Sequence, residues 1–149
     1  MTGERDGMDQ RPENLLALAA RCEAARKPDR ALDADIYEAL GYTVRRKPAT
    51  LVSRRAPPGG IYQKGSLWKT LGMVSGDLEV AVELLREKAP GWNWSLQCLI
   101  GEESAAFQAL VAECSGNAVI GSLALCAAML RAFAQAEGVL RRPRQQPRR

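Results

Sequence analysis

A chain of 149 residues, 46% hydrophobic and 26% charged, is the size and make-up of one globular domain and can bury roughly two-thirds of its unfolded surface without a disulfide or metal staple. Its formal charge of +4 is unevenly spread: residues 1–44 and 70–140 are net acidic, residues 45–69 hold seven bases and no acid, and residues 141–149 hold five arginines. There is no histidine, which excludes Ser-His-Asp and Cys-His catalysis and the commonest general base near neutral pH, while carboxylate or lysine chemistry stays open.

Residues 1–12 are polar, charged from the fourth residue and without an apolar stretch, so neither a secretory signal nor an ordered element is expected there. Leu15, Leu18, Cys22 and Ala25 recur at helical spacing and predict a first helix over about 13–26, stopped by Lys27-Pro28-Asp29. Asp29 or its neighbour can cap a second helix that runs to Leu40, with Leu32, Ile36 and Leu40 on one face and Gly41 in the left-handed position beyond it. Tyr42 to Arg46 and Leu51 to Arg54 are short strand candidates. Ala56-Pro57-Pro58-Gly59-Gly60 marks a turn, and Ile61 to Lys69 can resume as a strand that Gly65 weakens.

Ser75 reads as the cap of a third helix, with Asp77 and Glu79 in its first turn, Leu78, Val82 and Leu85 as its buried stripe, and Pro90-Gly91 as its end. Trp92, Trp94, Leu96, Cys98 and Ile100 then alternate with Asn93, Ser95 and Gln97, the clearest strand pattern in the chain. Gly101 to Ser104 predicts a hairpin turn into a strand from Ala105 to Ala112. The longest uncharged run, Cys114 to Leu130, is interrupted by Ser115, Gly116, Asn117, Gly121 and Ser122. It is too broken for a span of about 20 apolar residues and reads as a buried helix.

The last helix is expected from about Ser122 to Ala136, apolar nearly all round except for a strip at Arg131 and Gln135, and ended by Gly138. Such a helix should be the most buried of the four and lie against the sheet face that holds Trp92 and Trp94. Strands joined by short turns argue for an antiparallel sheet with helices on it. The expected architecture is α+β in α-β-α layers, a single domain over 13–138, flanked by a disordered N-terminus (1–12) and a disordered arginine-rich tail (139–149).

Cysteines stand at 22, 98, 114 and 126, with no CxxC pair. Structural thiols in a reducing compartment are favoured over a disulfide framework or a metal set. No cofactor is expected, and the compartment reads as cytoplasmic.

Three segments resemble the phage ABA-sandwich domain family. They are Leu32 to Tyr42, an acidic helix ending in Gly and an aromatic; Ser75 to Val82, followed by Pro90-Gly91-Trp92-Asn93-Trp94; and Gly121 to Ala132. Together they span roughly residues 13–137. The resemblance implies a helix–sheet–helix sandwich of prophage origin and no particular reaction. Some small phage proteins of this size are anti-defence factors that sequester cyclic nucleotide signals, which offers an analogy of setting. The chain departs from the family between Arg45 and Thr70, where it is basic and rich in Gly and Pro.

That departing segment holds the strongest binding candidates. Arg45, Arg46 and Lys47, with Arg54 and Arg55, have no acid nearby and attract phosphate; the alternative is a solvated hairpin surface balancing an acidic body. A Lys47-Pro48-Ala49-Thr50 turn would hold the two clusters within about 8 Å, one Debye length. Lys64, in the glycine-rich stretch from Gly59 to Ser66, can join an anion cradle or an ordinary loop. Arg131 can face a ligand pocket, a subunit interface or solvent. Trp92 and Trp94 read as core before base-stacking residues, and Glu102 and Glu103 as hairpin-tip carboxylates before a catalytic pair. The expected function is therefore a non-enzymatic phage accessory protein, forming a homo-oligomer in the cytoplasm of a bacterial host and binding an anionic small molecule or host protein; an anti-defence factor that sequesters a nucleotide signal or blocks a host defence protein is one form this can take. The alternative is nucleic-acid binding through 45–69 and the tail. No membrane partner is expected.

Overall fold

The computed structural model describes residues 11–46, 60–100 and 105–141. In chain order the elements are α1 (Arg11–Ala24), α2 (Arg30–Ala39), β1 (Val44–Arg45), β2 (Ile61–Lys64), β3 (Leu67–Thr70), α3 (Leu78–Lys88), β4 (Trp94–Ile100), β5 (Ala105–Val111), β6 (Cys114–Ala118) and α4 (Gly121–Arg141). The fold is α+β and single-domain, with helices packed on antiparallel sheets. There are two three-stranded sheets rather than one, ordered β1-β2-β3 and β4-β5-β6.

Helix α4 organises the core. Every residue from Leu123 to Leu130 is fully buried, because α4 packs against β5 and β6 on one side and against α1 and α3 on others. Over Leu123 to Leu130 the helix has no face to give to water, which accounts for the lack of periodicity there. Trp92 packs on Phe133 of α4 with ring centroids 5.0 Å apart and the rings tilted, and Trp94 and Leu96 pack on the same core. The approach of β6 to α4 depends on Gly116. A Cβ there would stand 2.6 Å from the Ala128 nitrogen and 2.9 Å from the Ala127 Cβ.

Local chemistry places several element ends. The Asp29 carboxylate accepts from the Ala31 N–H at 2.9 Å and caps α2, and Gly41 beyond that helix has φ +98°. Asp77, rather than Ser75, caps α3. Ser75 is buried between helices instead: its hydroxyl accepts from the Asp29 N–H at 2.9 Å, and its own N–H donates to the Asp33 carboxylate at 2.7 Å. Asp33 also takes Arg30 Nη1 at 2.8 Å, and Arg30 donates to the Leu71 carbonyl. These bonds fasten α2 to the connection that leads into α3.

Several expectations are corrected. Ile61 to Lys69 is a hairpin of two strands, turning at Gly65 with φ +63°. The buried face of α3 carries Ala81, Leu84 and Leu85, whereas Leu78 is exposed. Cys114 to Ala118 forms strand β6, not the start of a helix, and joins β5 through Ala112 and Glu113. Both of those residues have positive φ, 45° and 73°, as a two-residue type I′ hairpin requires. No Asn-Gly pair advertised that turn. At the ends, α1 already starts at Arg11 and α4 continues through Gly138 to Arg141, so both boundaries move outward from residues 13 and 138. The Leu51–Arg54 strand candidate and the 101–104 turn lie outside the described residues; the partner of β1 is β2, with Val44 opposite Tyr62.

Candidate functional site

The first sheet separates two faces by simple alternation. Val44, Tyr62 and Lys69 are direct partners across the three strands, as are Arg45, Ile61 and Thr70. Tyr62 packs on Tyr37 and Tyr42, with ring centroids 4.6 and 5.1 Å apart, so its face is the inner one. Arg45, Ile61, Gln63, Trp68 and Thr70 therefore share the outer face. On it, the Arg45 guanidinium reaches across β2 and lies 4.6 Å from the centroid of the Trp68 ring. Trp68 is 37% exposed and Leu67 64%, and every residue of β3 is open to solvent.

Adjacent residues on a strand point opposite ways, and this divides the basic cluster. Arg46 turns to α2, where its guanidinium pairs with Asp35 and, at 3.0 Å, with Glu38. Burial pushes the Asp35 carboxyl up, but hydrogen bonds from Arg46 and Arg21 outweigh it and hold the group below its ordinary value. Arg45 has no carboxylate partner among the described residues. Arg54 and Arg55 lie outside those residues.

Lys64 pairs with Glu87 of α3 at 3.5 Å. It stands at a cavity of about 390 Å³ that also admits Tyr37, Tyr62, Lys69, Glu83 and Glu87. Two lysines facing two glutamates give that cavity no preference for an anion. A second cavity, of about 580 Å³ between α1 and α2, likewise mixes Arg11 and Arg21 with Asp35 and Glu38.

Arg131 is tied into the fold. It meets Glu23 of α1 through two hydrogen bonds of 2.6 Å and donates to the Ser115 carbonyl at 2.9 Å. Glu23 in turn accepts from the Asn117 N–H at 2.8 Å. The pair thus hydrogen-bonds to the free edge of β6 as a further strand would, with the carboxylate taking an N–H and the guanidinium giving to a C=O. The hydrogen bond from Arg131 keeps the Glu23 carboxyl below its ordinary value.

Two of the four cysteines, Cys22 and Cys126, are buried. All four thiols are free. Burial pushes Cys22 up to about 12 and Cys126 well above its ordinary value, so both remain protonated near neutral pH. Among the described residues no group of three or more Cys, Asp or Glu is placed to hold a metal ion, and no helix is long and apolar enough to cross a membrane.

Trp68 is the residue that sequence reasoning missed. It sits between Leu67 and Lys69 in a stretch whose charges draw the eye, and only the cross-strand register puts its ring beneath Arg45. A scan against protein-family models, a search of curated proteins and a search of solved structures each returned no match to this chain.

Proposed function

We propose that this protein is a non-enzymatic accessory factor that binds an anionic partner on the outer face of β1-β2-β3. One observation carries the reading. Of the sequence-predicted cations within the described residues, Arg46, Lys64 and Arg131 are neutralised by carboxylates, while Arg45 is paired only with the exposed ring of Trp68. An indole offers a stacking surface to a nucleobase, and a guanidinium free of acids offers two parallel hydrogen bonds to a phosphate. A nucleotide is the ligand class that uses both. With the phage resemblance, this supports a prophage factor that sequesters a nucleotide signal in the host cytoplasm.

A second reading, binding of single-stranded nucleic acid, is favoured by the seven bases of residues 45–69 and the arginine-rich end. Tryptophan fluorescence titrations with a cyclic dinucleotide and with a short single-stranded oligonucleotide test both. The dinucleotide should quench Trp68 with a weak salt dependence, whereas an oligonucleotide that neutralises several phosphates should lose orders of magnitude in affinity between about 50 and 200 mM salt. Arg45→Glu and Trp68→Ala should each abolish binding. Wild-type titration curves from both variants would overturn the assignment of this face.

A further inference from the structure

The two edges of the second sheet are finished differently. Along β6, the backbone groups of Ser115 and Asn117 that point away from β5 are taken up by Arg131 and Glu23. Along β4 the phase of the ladder follows from one bond: the Ala112 N–H donates to the Asn93 carbonyl at 3.0 Å. Residues of an antiparallel pair alternate in the direction of their backbone groups. Ser95, Gln97 and Leu99, paired with Leu110, Gln108 and Ala106, therefore bond to β5. Trp94, Leu96, Cys98 and Ile100 direct their N–H and C=O groups outward, where no described residue meets them.

This open edge is seven residues long and holds no charge, no proline and no glycine. Those are the features that ordinarily stop edges from pairing. Exposed apolar side chains accompany it: Leu99 is 43% and Leu110 44% exposed.

We infer that β4 pairs antiparallel with β4 of a second copy of this chain, about a two-fold axis at Gln97, to make a continuous six-stranded sheet. The strand is self-complementary in this register. Leu96 meets the second copy's Cys98 and Trp94 meets its Ile100, so every outward N–H and C=O finds a partner. Gln97 meets itself at a non-hydrogen-bonded position. On the outer face Leu99 stands beside the second copy's Ser95, which is already paired with Leu110, so the two exposed leucines come into one row across the joint. Like charges do not meet anywhere along the seven pairs. Such an interface is isologous, and it closes at two copies because pairing consumes the edge.

Light scattering on the full chain should return twice the 16.2 kDa of one copy. Cys98→Pro removes an outward N–H from each copy while leaving all β4–β5 bonds in place, and should halve the mass. Register is read by cross-linking in a Cys98→Ser background. Gln97→Cys places two Cα atoms about 4.5 Å apart, within disulfide range, and should oxidise to a covalent dimer at least tenfold faster than Leu99→Cys. Hydrogen exchange on the unaltered protein removes any dependence on how the variants fold: the outward amides of Leu96 and Cys98 should be as protected as the inward amides of Gln97 and Leu99. A single-copy mass, fast exchange confined to the outward amides, a dimer that survives in folded Cys98→Pro, or equal cross-linking at positions 97 and 99 would each overturn the proposal.

Discussion

The two three-stranded sheets have the same order and strand sense, and the fold treats them in opposite ways. The β4-β5-β6 sheet sets its inner face on α4, where Gly116 lets backbone meet backbone and Ala109 and Val111 are fully buried. In the β1-β2-β3 sheet no residue of any strand is fully buried, and its inner contact is a cluster of three tyrosines. Burial fixes side chains in place and costs stability when they change. Exposure leaves them available and cheap to alter. Comparing the two sheets therefore separates scaffold from the proposed binding surface: positions that hold the protein together concentrate around α4, and the cation–aromatic pair sits where substitution disturbs little else.

The sharpest test of that division is Gly116→Val. Its added carbons meet the backbone of α4, which cannot rotate away, so a loss of about 3 kcal/mol or more is expected in urea denaturation. A loss below about 1 kcal/mol would show that the second sheet can retreat from α4 and is less of a scaffold than its burial implies.

Arg131→Met should cost about 2 kcal/mol, because Glu23 then keeps its place beside β6 without its charge partner and the Ser115 carbonyl loses its donor. The same pair shapes the response to acid. A folded-state value lowered beneath that of the unfolded chain, about 4.3 for a glutamate, makes the stabilisation from Glu23 complete above that pH. It is then lost as pH falls through the lowered value. Glu23→Gln should accordingly be less stable at pH 7 and show a flatter decline on the acid side. An unchanged pH profile would mean that the edge contact does not depend on the carboxylate's charge.

The turn between β5 and β6 should yield a gain. Ala112 and Glu113 adopt positive φ without the freedom of glycine or the tolerance of asparagine. Replacing them together by Asn-Gly should raise stability by about 1 kcal/mol. A loss instead would show that the local strain is offset by contacts of these side chains.

The smallest effect belongs to the first sheet. Arg45→Ala and Trp68→Ala should each change stability by less than about 0.5 kcal/mol while removing anion binding. A large fall in stability at either position would turn the exposed pair into a packing feature and erase the contrast between the sheets.

Much of the scaffold could be read from residue order alone. Helix stripes such as Leu15, Leu18 and Cys22, the Asp29 cap, Gly41 and the alternation after Trp92 are local signals: a few neighbouring residues and the geometry of one element decide them. The apolar run of α4 likewise announced burial on every side. Strand β6 was invisible because CSGNA has neither β-branched residues nor alternation, and its turn uses the wrong residues for its backbone. Tertiary pairing with β5 and the fit of Gly116 against α4 override those weak local preferences.

The proposed binding surface was less legible still. Composition located a basic segment but could not say which of its charges remain unneutralised, since the partners of Arg46 and Arg131 lie 8 to 108 residues away in sequence. Nor could it say that Trp68 meets Arg45. Local sequence settled where helices start, stop and turn their apolar faces, because those depend on short-range sterics and hydrogen bonds. The tertiary structure alone decided which cations are neutralised, which ring lies beneath Arg45 and which sheet edge has no partner among the described residues, because each depends on groups that only long-range packing brings together.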